Sequence, residues 1–177
     1  VRLKNEIVNS GINDYNILEK KGEYIEPSDF KKILEDLPDD VTILDVRSNY
    51  EHNIGKFKNA LTLDIENFRD FPIKISEVKS KISKKNKIIT YCTGGVKCEK
   101  ASAFLRKNGY ENVYQLHGGI IKYGLEEHGE DFDGKCYVFD NRIAVNVNKI
   151  NPSTISKCYL TGEPSDSMVN CANPECN

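Results

Sequence analysis

The sequence predicts an α/β fold, a parallel sheet flanked by helices with a small Cys-containing C-terminal extension. Three observations carry this reading. Short β-branched runs alternate with helical periodicity, a strand passes through a Gly-containing loop straight into a helix, and the chain changes character past Gly134. The first helical pattern opens at Pro27-Ser28-Asp29-Phe30 and puts Phe30, Ile33, Leu34 and Leu37 on one face before Pro38 and Asp39-Asp40 stop it. Val41-Thr42-Ile43-Leu44 is a buried strand ending at Asp45, and Leu61-Thr62-Leu63 a second. Residues 75–82 predict a helix with Ile75, Val78 and Ile82 inward and Lys79, Lys81, Lys84 and Lys85 mostly outward. Ile88-Ile89-Thr90-Tyr91 is the third strand. Residues 98–108 form a helix on Ala101, Phe104 and Leu105, with Gly109 just past its end. Val113-Tyr114-Gln115-Leu116 is the fourth strand, leading into a His117-Gly118-Gly119 turn. In such a sheet ligands gather at the carboxyl ends of the strands, which here include Cys92. Residues 136–139 and 143–147 predict a hairpin around Asp140-Asn141, and residues 152–156 a linker.

The chain has 177 residues, 38% apolar and 29% charged, which suits one core plus a tail better than two domains. No run approaches the roughly 18 apolar residues of a membrane span, and no basic-then-apolar signal opens the chain, so the expected compartment is the cytoplasm. From the start at Val1 and the unfinished Cys pattern of residues 171–177, the expectation is a piece of a longer protein. A net charge of −2 argues against a general nucleic-acid binder, yet residues 69–110 carry +8 and the remainder −10. That basic middle suits a phosphate-bearing partner, although Lys-rich helix faces are often only solvated surface. With six Cys but no signal and no tight loops, reduced thiols are expected rather than a disulfide frame.

Cys92 follows a buried strand and precedes a helix N-terminus, where unpaired N–H groups and the helix dipole favour a thiolate, the nucleophilic form. Gly94 and Gly95 let those N–H groups turn toward one point, and Lys97 adds a positive charge on the far side. The loop of Thr93, Gly94, Gly95, Val96 and Lys97 is thus a candidate anion-binding nest. Against this, a free Cys is commonly a small buried hydrophobe. Cys98 reads either as a resolving thiol for an oxidised Cys92 or as a Cys packed under the helix. Arg47 and Glu51 near the end of the first strand, and Arg69 beside Phe68 and Phe71, are candidate substrate-binding groups, since stacking plus a cation holds an unpaired base. Core packing is the alternative for both Phe residues. His117 serves the site or only the turn.

As a set, Asp45-Val46-Arg47-Ser48-Asn49-Tyr50-Glu51-His52, Ile54-Gly55-Lys56-Phe57-Lys58-Asn59-Ala60, the loop from Cys92 to Lys97 and Leu116-His117-Gly118-Gly119-Ile120 resemble the rhodanese signature. A closer resemblance lies in Cys92-Thr93-Gly94-Gly95-Val96-Lys97-Cys98-Glu99-Lys100-Ala101-Ser102, Asn67-Phe68-Arg69-Asp70-Phe71-Pro72 and Gly134-Lys135-Cys136-Tyr137-Val138-Phe139-Asp140. These resemble the rhodanese-domain tRNA uridine(34) hydroxylases, which convert the wobble uridine to 5-hydroxyuridine with molecular oxygen as co-substrate. The resemblance implies a rhodanese-like domain over residues 25–130, the end of an N-terminal domain and a linker over 1–24, and a C-terminal extension over 131–177. It also implies Cys92 as the essential cysteine, Cys98 as a second thiol, and the anticodon loop of tRNA as partner. Lys97 stands where the family commonly has Arg, keeping the charge but losing the planar fork.

The tail Cys158-Tyr159-Leu160-Thr161, with Cys171 and Cys176, resembles the family's Cys-rich segment, and Thr161 replaces one of its Cys residues. Three thiolates therefore remain where structural zinc wants four, unless Cys136 or a downstream Cys completes the set. No residue reads as a flavin, haem or non-haem iron site, so no cofactor is expected for the rhodanese domain. The loop argues against phosphatase chemistry, since only four residues separate Cys92 from Lys97. Two alternatives to hydroxylation stay open, a sulfurtransferase carrying a persulfide on Cys92 and a binding module with an inert loop.

Overall fold

The computed structural model describes residues 8–12 and 20–167. Its strands are β1 (Glu23–Ile25), β2 (Val41–Asp45), β3 (Gly55–Phe57), β4 (Leu61–Thr62), β5 (Lys87–Tyr91), β6 (Val113–Leu116), β7 (Phe132–Tyr137) and β8 (Ala144–Asn146). Among the described residues, the α-helices of four residues or more are α1 (Pro27–Glu35), α2 (Asn49–His52), α3 (Phe71–Glu77), α4 (Val96–Lys107) and α5 (Gly119–Glu126). The main sheet has the order β1-β6-β5-β2-β4 and every pairing in it is parallel, with Ile43 opposite Ile89, Leu44 opposite Leu61 and Ile25 opposite Leu116. A smaller antiparallel sheet, β3-β7-β8, closes one flank, and the expected hairpin is its β7-β8 pair, with Cys136 opposite Val145.

Strand side chains alternate between two cores, as the two-residue period of a strand requires. Leu44, Ile88 and Val113 pack on one face with Phe71 and Ile75 of α3 and with Cys98, Ala101 and Leu105 of α4. Ile43, Ile89, Tyr91 and Leu116 pack on the other with Phe30 of α1 and with Ile120 and Tyr123 of α5. Phe57 centres this second core. It meets Phe30, Tyr91, Tyr123 and Phe132 edge-on at centroid distances of 5.1, 4.9, 4.9 and 5.2 Å, the arrangement that ring quadrupoles favour.

Four elements differ from the sequence expectation. The helix expected over 75–82 begins at Phe71, where Pro72 sits in the first turn and costs no hydrogen bond, and it ends at Glu77 before a separate 3-10 turn over Lys79–Lys81. The His117-Gly118-Gly119 turn runs on into α5, whose N-cap Gly118 has φ +68°. The three-residue strands β1 and β3 are too short to show a period. Among the described residues, no helix is long and apolar enough to cross a membrane.

Candidate active site

β5 carries Cys92 to the carboxyl edge of the sheet, and the chain turns there through Gly95 (φ +92°), the N-cap of α4. The turn wraps around the Cys92 sulfur. The Gly95 N–H donates to Sγ at 3.1 Å, and the N–H groups of Lys97 and Cys98 and the thiol of Cys98 are bonded to it as well. The hydrogen bond from Cys98 is the largest influence, and with the backbone donors it outweighs burial to bring the Cys92 thiol down to about 7. Burial pushes Cys98 the other way, well above the usual thiol range, and the neighbouring Cys92 adds to this. The pair is therefore differentiated: Cys92 is the more acidic thiol and Cys98 the proton donor to its sulfur.

The loop is clamped from α5. The Ile120 and Ile121 N–H groups donate to the carbonyls of Cys92 and Thr93 at 3.0 and 3.1 Å. On the opposite side, Glu51 of α2 has no exposed surface and accepts from the Lys97 ammonium. It also accepts from the Ser48 N–H at 3.0 Å, completing a capping box at the start of α2. Thr93 Oγ1 lies 3.5 Å from both Glu51 Oε1 and the Tyr137 carbonyl.

Above Cys92 opens a cavity of about 650 Å³, whose lining includes Glu51, Phe68, Arg69, Thr93, Gly94, Val96 and Lys97 together with Tyr50 and Phe139. Its apolar walls come from distant parts of the chain. Phe68 stacks on Phe71 at 5.6 Å, while Tyr50, Tyr137 and Phe139 form a run of edge-on rings at 5.0 and 5.1 Å. An acidic thiol at the floor of a part-apolar cleft of this size suits a small planar organic group.

The family description "Rhodanese-like domain" matches residues 26–126, more than half of the chain, and "Rhodanase C-terminal" matches residues 133–177. The chain belongs to the rhodanese-like domain family. Over its full length it is 60% identical to a protein of Cytophaga hutchinsonii, 48% to one of Listeria welshimeri and 47% to one of Streptococcus sanguinis, each named tRNA uridine(34) hydroxylase. It covers 55%, 56% and 56% of those proteins, so the chain spans about half the length of the curated relatives it matches. Among solved structures, the Alr3790 protein of Anabaena sp. is 26% identical at a TM-score of 0.52, with 67% of this chain and 96% of that one covered. The BH2092 protein of Bacillus halodurans shares the fold at 23% identity and a TM-score of 0.51, covering 62% and 77%.

This rhodanese-like domain brings most of the expected residues together and relocates some. Cys92, Thr93, Gly94, Val96, Lys97, Glu51 and Arg69 all line the cavity. Arg47 does not. Its guanidinium is fully buried and bonded to Asp45 at 2.6 Å and to the Gly55 carbonyl at 2.7 Å, so it ties β2 to β3 and is corrected here from a substrate-binding to a structural residue. Burial works against its charge, and Asp45 more than restores it. Lys97 lines the cavity with its ammonium ion-paired to Glu51. Phe68 keeps an edge on the cavity, whereas Phe71 is entirely core. His117 turns away to Glu26, at 2.6 Å.

Cys158 sits in a turn where the Thr161 hydroxyl, then the Thr161 and Leu160 N–H groups, lower its thiol, which fits a metal thiolate. Cys171 and Cys176 lie outside the described residues. Cys136 is fully buried, and that burial pushes its thiol up to about 11. No group of three or more His, Cys, Asp or Glu among the described residues is arranged to hold a metal.

The sequence reading missed Tyr50 and Phe139 as lining residues. The alternation of Tyr137 and Phe139 was a signal for a shared face, but nothing local connects that face to Cys92.

Proposed function

We propose that this chain is the rhodanese-bearing part of a tRNA-modifying enzyme that hydroxylates the wobble uridine to 5-hydroxyuridine with molecular oxygen, with Cys92 as its essential thiolate. The observation that carries the reading is a sulfur brought to about 7 on the floor of a cavity walled by aromatic rings. Relatives similar over the whole chain and named for that activity support it. The chain's own part is to hold and orient. Its nest keeps Cys92 deprotonated near neutral pH, Cys98 keeps a proton against it, and the ring walls exclude water from one side of a bound base. Arg69, exposed at the edge and without an ion-pair partner among the described residues, faces the place where a phosphate would lie. On this reading the substrate is a tRNA presenting its anticodon loop, and the enzyme works in the cytoplasm.

The test is nucleoside mass spectrometry of tRNA from cells lacking the full-length protein and complemented with wild type or with Cys92→Ser. Return of 5-hydroxyuridine and its derivatives with wild type alone is expected. Unchanged nucleosides in every strain would overturn hydroxylation, and a sulfur-loading assay on the same proteins would then decide for persulfide transfer.

A further inference from the structure

An exposed Phe needs a reason, because a large ring left in water forgoes the burial that would stabilise it. Phe139, two residues beyond β7, is 66% exposed and yet lines the Cys92 cavity. It is held there from two sides. Tyr137 meets it edge-on at 5.1 Å, and the Lys97 ammonium lies 5.6 Å from its centroid, so the ring has a defined place without being packed away. The other aromatic lining groups are more committed. Phe68 is 5% exposed and its face is covered by Phe71, and Tyr50 is 38% exposed with its ring against Tyr137. Phe139 is thus the lining ring with the most surface to offer a planar ligand, and Arg69 on the same cavity offers a cation for the phosphate attached to it.

We propose that Phe139 is the stacking platform for the unpaired pyrimidine of the RNA substrate, a specificity-determining residue that the C-terminal extension lends to the Cys92 site. The inference rests on the reading of the site as tRNA-modifying and deepens it. It also explains why the hairpin belongs to the working unit: β7 pairs with β3, next to α2, and so fixes the ring's distance from the catalytic loop. Stacking on an aromatic face is tolerant of sequence, so the platform selects for an unpaired, extruded base rather than for a hydrogen-bonding pattern.

The experiment uses the full-length protein and an anticodon stem-loop RNA carrying 4-thiouridine at the wobble position. Affinity is measured by fluorescence anisotropy for wild type, Phe139→Ala, Phe139→Leu and Phe139→Tyr. Loss of about tenfold in Phe139→Ala, no recovery in Phe139→Leu and recovery in Phe139→Tyr are expected. Near-ultraviolet irradiation of the wild-type complex should crosslink the thiouridine to the peptide bearing Phe139. Recovery in Phe139→Leu equal to that in Phe139→Tyr would overturn the stacking role in favour of simple apolar contact. Undiminished binding by Phe139→Ala would overturn it too, as would be found if another part of the longer protein covers the ring. Wild type that fails to retain the RNA overturns both this inference and the tRNA reading beneath it, which separates the two failures. Since Phe139 contributes little to either core, unchanged melting of the variants confirms that affinity, not folding, has moved.

Discussion

Lys97 is ion-paired with Glu51, so the one cation of the Cys92 loop is spent on holding the loop to α2. Glu51 has no exposed side-chain surface and Lys97 only 13%. Removing one partner would therefore strand the other in a poorly solvated place. Glu51→Ala is expected to cost roughly 3 kcal/mol and Glu51→Gln somewhat less, since the amide still accepts from the Ser48 N–H. Urea unfolding of the full-length protein reads this, and an unshifted midpoint in Glu51→Ala would remove the pair from the account of the fold.

The nest around Cys92 makes a prediction about pH. With the folded thiol at about 7 against an ordinary value of 9.0, alkylation by iodoacetamide should rise through pH 7 in the native protein and only near 9 once it is unfolded. The sign of the linked stability follows. A group whose folded value is depressed contributes fully above its unfolded value and loses that contribution as pH falls through the folded one, here from about 9 down to about 7. Cys98→Ala takes away the largest stabiliser of the thiolate, so the alkylation midpoint should move upward. A midpoint that stays put would mean that the backbone N–H groups act alone.

Arg47 and Arg69 were both candidate substrate-binding groups in sequence, and the structure separates them by burial. Arg47→Ala would leave Asp45 buried and charged, with Tyr91 Oη as a remaining donor at 2.6 Å. A loss of roughly 3–5 kcal/mol is expected, visible as a fall in soluble protein and in unfolding midpoint. Arg69→Ala should leave the midpoint within about 0.5 kcal/mol of wild type, while weakening RNA binding and lowering its salt slope by about 1. If Arg69→Ala binds RNA with an unchanged slope, Arg69 does not meet a phosphate.

The same contrast shows what was legible. The strands through Ile43, Ile89 and Leu116 and the loop at Cys92 were readable because each is written within a few adjacent residues, by β-branching or by glycine next to a helix start. Arg47 was misplaced because charge type says nothing about depth, and its partner Asp45 is an ordinary strand-end residue until the fold buries both. α5 was hidden by Gly119 and Gly124, which weaken helix propensity but permit close approach to Cys92 and Val147. Tyr50 and Phe139 share a cavity only because β3 and β7 pair across a long stretch of chain, a relation no local pattern carries.

Gly119 packs against the backbone of the Cys92 loop and Gly94 lies within that loop, and the two should respond differently to alanine. At Gly119 the backbone has φ +63°, and an added Cβ would lie 2.4 Å from the Cys92 carbonyl oxygen and 2.7 Å from that of Thr93. Those atoms are backbone and already accept from Ile120 and Ile121, so they move only if the clamp on the loop opens. Gly94 has an unstrained φ and nothing within 4 Å of its would-be Cβ. Gly119→Ala is therefore expected to cost at least about 2 kcal/mol and to raise the Cys92 alkylation midpoint as the nest loosens. Gly94→Ala should be stable within about 0.5 kcal/mol and keep the wild-type alkylation profile. Thermal melting and the iodoacetamide profile of the two variants, taken side by side, check this. Equal behaviour would show that the α5 clamp does not set the geometry of the thiolate.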